Sequence, residues 1–285
     1  MATNDELVEI AQLHPHAEAR ACAFSLLVDR NDKRCKDLLL ATLRDTSMVM
    51  CRAYDMLWND CVCSYNVDVM FNSKNLTESE KEELDSVLLF TPNLWSISRI
   101  GDILRHLPAE EKYYDRVRDI YCNEQNTLAL MALANYRLDA DKPLIIKALM
   151  EFSKGYDKLH RSTKGETGGT NQALAAVRRW PDADFMPALI KLRDYELKAK
   201  YYDYSRIRLF YDALMAYDDQ RSYDIIDETL SKAEGRNNGY TFEFHSKIFK
   251  AAVLDGWPKT QRYMPLIEKH QLQDVDVEMW QRSRG

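Results

Sequence analysis

A chain of 285 residues with 46% hydrophobic and 29% charged side chains has the composition of a folded protein and excludes a disordered one. Its 9 glycines and 8 prolines are too few for the tight turns of a β-sandwich or barrel of this length. A net charge of −6 opposes phosphate backbones unless a local patch reverses the sign, and no apolar run approaches the roughly eighteen residues that span a membrane.

The first residues, Met1 to Ile10, carry neither a basic n-region nor an apolar stretch, so no secretory signal is expected and a cytoplasmic location is. His14 and His16 flank Pro15 with no acidic or cysteine partner at helical spacing, which suits solvated residues at a helix start. Two helices follow in Ala23–Leu43, parted by a turn at Arg30–Lys33. In Met48–Cys61 the apolar positions Val49, Ala53, Met56, Leu57 and Cys61 fall at helical spacing and predict a helix. A polar connector, Asn66–Glu78, then leads to a helix ending at Phe90. Thr77 and Glu80 form a capping-box pattern at its start.

From there a plan of helix, short turn and helix recurs. It appears in Ile103–Ile120 with a turn at Leu107–Glu111, and in Ala129–Leu149 with a turn after Tyr136. It returns in Ala173–Leu192 with a turn at Pro181–Asp184, in Phe210–Leu230 at Asp218–Arg221, and in Phe249–Ile267 at Trp257–Thr260. Pro143, Pro187 and Pro265 lie in first turns of second helices, where a missing N–H costs little. The turns recur about every forty residues, with one degenerate unit around residues 47–90. Each hairpin has more apolar surface than it can hide alone, so neighbours must stack to bury it.

These hairpins resemble the HEAT-like, armadillo-type helical repeats, with Asp32, Asp139 or Asp141, Asp182 and Asp218 at the turn position that often holds Asp in that superfamily. The turns at Leu107–Glu111 and Trp257–Thr260 depart from it. Tetratricopeptide repeats, with a period of about 34 residues, fit less well. The resemblance implies an all-α chain forming one right-handed α-solenoid over residues 1–285, of about seven hairpins. A mobile loop is expected at 159–171, which holds three of the nine glycines. Its Gly-rich part lacks the spacing of a P-loop and follows no strand.

The six cysteines, Cys22, Cys35, Cys51, Cys61, Cys63 and Cys122, are expected to be reduced and mostly buried. Cys61 and Cys63 form a C-x-C pair with no nearby His to complete a metal site, so neither metal nor cofactor is expected. His106, His160, His245 and His270 are isolated, and the motifs of zinc proteases, α/β-hydrolases and dinucleotide enzymes are absent. A non-catalytic role is expected.

The stretch from Tyr156 to Arg208 holds eleven Lys and Arg against seven Asp and Glu. Within it Lys191, Tyr195 and Lys198 share a helix face at i, i+4 and i+7, and Lys147 and Lys154 extend the stripe on the preceding second helix. The tyrosines Tyr195, Tyr201, Tyr202, Tyr204, Tyr211 and Tyr217 cluster there, and most suit packing between hairpins. Asp224, Asp227 and Glu228 make the next second helix acidic. The expected function is protein–protein interaction, with Lys147, Lys154, Lys191, Tyr195, Lys198 and Tyr202 as the partner-binding residues. A bacterial immunity or inhibitor protein is a specific form of it, by analogy of fold. The alternative is nucleic-acid binding of the kind found in HEAT-like alkylpurine DNA glycosylases, for which Trp180 and Asp182 or Asp184 are the suggestive neighbours. Global charge opposes a nucleic-acid partner, and the oligomeric state is left open.

Overall fold

The computed structural model describes residues 2–53, 55–94, 96–154, 169–199, 202–236 and 239–272. Among these the chain is predominantly helical, as expected, with one small two-stranded sheet. The chain divides into two compact units by its internal packing. The first comprises Met1–Leu107 with Glu111–Asn126, the second Pro108–Glu110 with Thr127–Gly285. All six predicted turns separate two helices or a helix from a short 3₁₀ turn.

In the first unit, α1 (Asn4–Leu13) opens on a capping box between Thr3 and Glu6. Helix α2 (Ala17–Asp29) lies at the centre, packed on α1, on α3 (Cys35–Thr42), and on α4 (Val62–Asn72). Phe24 and Leu27 of α2 are fully buried there. Asp32, in the turn before α3, accepts from Asn4 Nδ2 at 2.8 Å and Arg34 Nε at 2.9 Å. The Arg34 side chain and amide hold its carboxyl well below the usual carboxylate range. Helix α5 (Glu78–Phe90) carries the predicted Thr77–Glu80 capping box in full. Arg99 of α6 (Ser98–His106) makes a two-pronged pair with Asp85 at 2.8 and 2.6 Å, and α7 (Glu111–Cys122) closes the unit.

Two expectations for residues 47–90 are corrected. Met48–Cys61 is a β-hairpin and not a helix: β1 (Met48–Ala53) pairs antiparallel with β2 (Met56–Cys61). The reason lies in a second period within the same residues. Val49 and Cys51 are buried against Ala21 and Val62, while Met48, Met50 and Arg52 face out, and that alternation is the strand period of two. The antiparallel register sets Met48 opposite Cys61 and Cys51 opposite Trp58. The connector predicted from Asn66 onward is also a helix up to Asn72, within α4. Asn66 is buried on the same face as Val62, Val67 and Met70, and its amide donates to Thr42 Oγ1 at 3.4 Å. A polar residue with a buried partner had the appearance of a loop.

The second unit holds α8 (Ala129–Tyr136), α9 (Lys142–Leu149), α10 (Gly169–Arg179), α11 (Met186–Glu196), α12 (Tyr204–Met215), α13 (Gln220–Glu234), α14 (Gly239–Asp255) and α15 (Met264–Lys269). The first helices of the hairpins, α8, α10, α12 and α14, pack one on the next in chain order. Second helices α9 and α11 touch as well. Pro143, Pro187 and Pro265 sit at the predicted first-turn positions of α9, α11 and α15. Of the expected mobile loop, residues 159–168 lie outside the described residues. Gly169–Asn171 already form the buried first turn of α10.

Candidate partner-binding surfaces

The turns of the second unit are tied by charge. Lys142, at the start of α9, places Nζ 2.9 Å from Asp139, 2.8 Å from Asp182 and 2.9 Å from Asp184. Asp182 and Asp184 belong to the next turn, so this lysine clamps adjacent hairpins. The three carboxylates raise its affinity for a proton, Asp182 first. Arg262 repeats the pattern with Asp218 at 2.9 Å, and Tyr217 donates to the Asp182 carbonyl at 2.6 Å. Of the turn aspartates singled out in the sequence, Asp182 and Asp218 are therefore rungs between hairpins. Replacing Lys142 with Met should lower the melting temperature, because three like charges are left together, and added salt should shrink the loss. Thermal melts at low and high ionic strength check this.

The same packing decides the fate of Trp180. It is only 6% exposed and meets Phe185 edge-on at 5.4 Å, with Lys142 Nζ 5.7 Å from its ring. Trp257, in the corresponding turn, is half exposed and does not plug its turn as Trp180 does.

The predicted stripe separates into cations and packing groups. Lys147 on α9, Lys191 on α11 and Lys198 just beyond α11 are exposed, and none pairs with a carboxylate among the described residues. The side chain of Lys154 lies outside the described residues. Tyr195 packs on Phe152 at 4.9 Å between ring centres, with the Arg206 guanidinium 6.0 Å away. Tyr202 shares a hydrogen bond of 2.7 Å with Thr241 Oγ1 and packs on Phe244. The two tyrosines join helices, and the lysines alone face solvent fully. The acidic α13 is partly neutralised by its neighbours: Arg193 meets Glu228 at 2.7 Å and Lys269 meets Asp227 at 2.6 Å, with His270 Nε2 2.7 Å from the same Asp227 carboxylate.

A groove of about 710 Å³ opens beside α10, α12 and α14. Arg208 spans it, bonded to Asp212 and Asp255 at 3.0 Å each, and Arg178 and Lys259 add two more cations. No histidine or cysteine lines it among the described residues.

The surface that sequence reasoning missed is the hairpin. Met48, Met50, Met56, Leu57 and Trp58 are 45–67% exposed. By register, Met48, Met50 and Leu57 share the outward face with Arg52 and Asn59. Met56 and Trp58 alternate onto the opposite face, where Val49 and Cys51 are covered but these two are not. Five large apolar side chains on twelve strand residues are thus left exposed, three on one face of the hairpin and two on the other, and exposed apolar surface of this kind marks an association site. The alternation Met48-Val49-Met50-Cys51-Arg52 is the signal that would have found it.

Comparison of the chain with protein-family models, with curated proteins and with solved structures found no match. Among the described residues, no helix is long and apolar enough to cross a membrane.

Proposed function

We propose that this chain is a non-catalytic protein-interaction module, a HEAT-like right-handed solenoid of about seven helical hairpins interrupted by a β-hairpin that docks a protein partner. The chain-order packing of α8, α10, α12 and α14 supports the solenoid reading of the second unit. The observation that carries the interaction reading is the exposed apolar hairpin, because Met and Trp are enriched at interface centres and costly to leave in water. Lys147, Lys191 and Lys198 supply a separate set of cations suited to acidic side chains of a partner.

The test is affinity capture from the source cell with the full chain and with a Met50→Asp/Trp58→Asp variant. Wild type should recover a stoichiometric protein. The variant should bind it about thirtyfold more weakly or worse, on the roughly 2 kcal/mol scale of a buried hot-spot tryptophan. Circular dichroism should be unchanged, since both side chains are exposed. Equal recovery by both proteins removes the hairpin from the interface. A narrower form of the proposal is an immunity or inhibitor protein that masks a toxin, tested by growth rescue when the captured partner is expressed with and without this chain.

The second reading, nucleic-acid binding, is favoured by the same three lysines. Trp180 and Asp182 do not add to it, being committed to Phe185 and Lys142. Titration with duplex DNA at falling salt decides it: absence of binding at low salt ends this reading.

A further inference from the structure

Cys61 and Cys63 meet where the hairpin turns into α4. Cys61 is the last residue of β2 and the N-cap of α4, and Cys63 lies in the first turn of that helix. The two Sγ atoms are 3.1 Å apart. Ser96 touches both: its carbonyl lies 3.6 Å from Cys61 Sγ, its hydroxyl 3.5 Å from Cys63 Sγ. Cys63 is completely buried, whereas Cys61 keeps a small exposed part. A disulfide needs an S–S distance of about 2.05 Å, so about 1 Å of closure joins the pair, with one residue between them.

The two sulfurs are not equivalent. A hydrogen bond from the Cys63 thiol, with help from the Ser64 amide and the Ser96 side-chain hydroxyl, favours the Cys61 thiolate against the cost of burial. Cys63 is pushed the other way, by its hydrogen bond to Cys61 and by burial. The other buried thiols, Cys35 and Cys51, have theirs pushed up by burial, which keeps them protonated and unreactive.

We propose that Cys61 and Cys63 form an oxidisable dithiol, with Cys61 attacking a hydroperoxide and Cys63 resolving the product to an intrachain disulfide across Val62. In the first step a sulfur lone pair of Cys61 forms an S–O bond as the O–O bond breaks. The departing alkoxide or hydroxide takes up a proton, leaving Cys61 as a sulfenic acid. In the second step Cys63 sulfur attacks Cys61 sulfur, the S–O bond breaks, and the hydroxide leaves with the Cys63 proton as water. Two thiols lose two electrons and two protons, and one hydroperoxide becomes one alcohol (or water) and one water. Two equivalents of a small thiol such as glutathione then reduce the disulfide: the first attacks it to form a mixed disulfide and release one protein thiolate, the second displaces the other, and the two leave as their own disulfide with both protein thiols restored.

The experiment uses the full chain, hydrogen peroxide as the oxidant, alkylation under denaturing conditions to trap remaining thiols, and peptide mapping by mass. The expected result is a Cys61–Cys63 peptide lighter by two hydrogens and unalkylated, formed about tenfold faster than oxidation of the exposed Cys22 and Cys122. Glutathione should restore alkylation at both positions. A Cys63→Ser variant should accumulate a dimedone-reactive sulfenic acid at Cys61. Oxidation of Cys22 or Cys122 at the same rate or faster, with Cys61 and Cys63 still alkylated, overturns the proposal on the wild-type protein alone. A Cys63→Ser chain with dimedone label elsewhere and none on Cys61 overturns the assignment of Cys61 as the attacking group.

Discussion

Arg116→Met is expected to cost about 3–5 kcal/mol of stability, the range found when one partner of a buried ion pair is removed. Arg116 stands on α7 with a nearly buried side chain and uses its donors in four directions. Nε donates to the Leu89 carbonyl at 2.6 Å and Nη2 to the Thr91 carbonyl at 3.1 Å. Nη1 reaches Asp119 at 2.7 Å and Glu124 at 2.5 Å. Leu89 and Thr91 lie at the C-terminal end of α5, where carbonyls have no partner within the helix. One guanidinium thus caps α5 and neutralises Glu124, whose side chain is as buried as its own. Methionine fills the space but leaves the Glu124 carboxylate and both carbonyls unsatisfied. Lysine keeps the charge but not the fork, so Arg116→Lys should recover less than half of the loss. An Arg116→Met/Glu124→Gln double variant should be more stable than Arg116→Met alone, because the stranded charge is gone. Urea midpoints of the full-length proteins measure all three. A loss below about 1 kcal/mol would place Arg116 among exposed ion pairs and refute the capping argument.

The sequence marks this arginine only as one more charge in an amphipathic helix, and that illustrates what was legible and what was not. Turns were legible because their chemistry is local. Pro143, Pro187 and Pro265 can sit only at helix starts, and Asp32, Asp182 and Asp218 mark the breaks between helices. Which partner each charge finds is set by helices some forty residues away, as with Lys142 and Asp182. The hairpin was misread because Met48–Cys61 satisfies two periods at once. Val49, Ala53, Met56 and Leu57 suit a helix of 3.6 residues per turn, while Val49 and Cys51 against Met48 and Met50 suit a strand. The local pattern carries both periods, and burial of Val49 and Cys51 on Ala21 and Val62, from α2 and α4, selects the strand. The candidate stripe was legible in part for the same reason. Exposure of Lys147 and Lys191 follows from helix phase alone. That Tyr195 and Tyr202 pack on Phe152 and Phe244 depends on neighbouring hairpins.

The other large effect is a loss of stability in mild acid. His245 lies on α14 with no solvent exposure, its Nδ1 2.8 Å from the Tyr211 hydroxyl on α12 and the two rings edge-on. Nε2 has no hydrogen-bond partner among the described residues, so a protonated ring would hold one N–H and a full charge without compensation. Burial accordingly pulls its pKa from 6.5 down to about 4. In the unfolded chain His245 takes up a proton near its ordinary value, while in the folded chain it stays neutral to about pH 4. The folded state binds fewer protons over that window, so stability is complete above pH 6.5 and falls as the pH drops to 4. A shift of this size corresponds to a loss of about 3 kcal/mol across the window. Glu196 and Asp68, whose carboxyls burial pushes up, act in the opposite sense over the lower part of the range. Comparison with a Tyr211→Phe/His245→Leu variant cancels them, since it removes the titrating ring together with the hydroxyl that would lose its partner. Unfolding free energies of both proteins should be measured at several pH values between 7.5 and 4.5. The wild type should fall more steeply, by close to one proton's worth of slope below pH 6. Parallel curves would show that His245 takes up its proton in the folded state and that its buried pairing with Tyr211 is not what limits stability in acid.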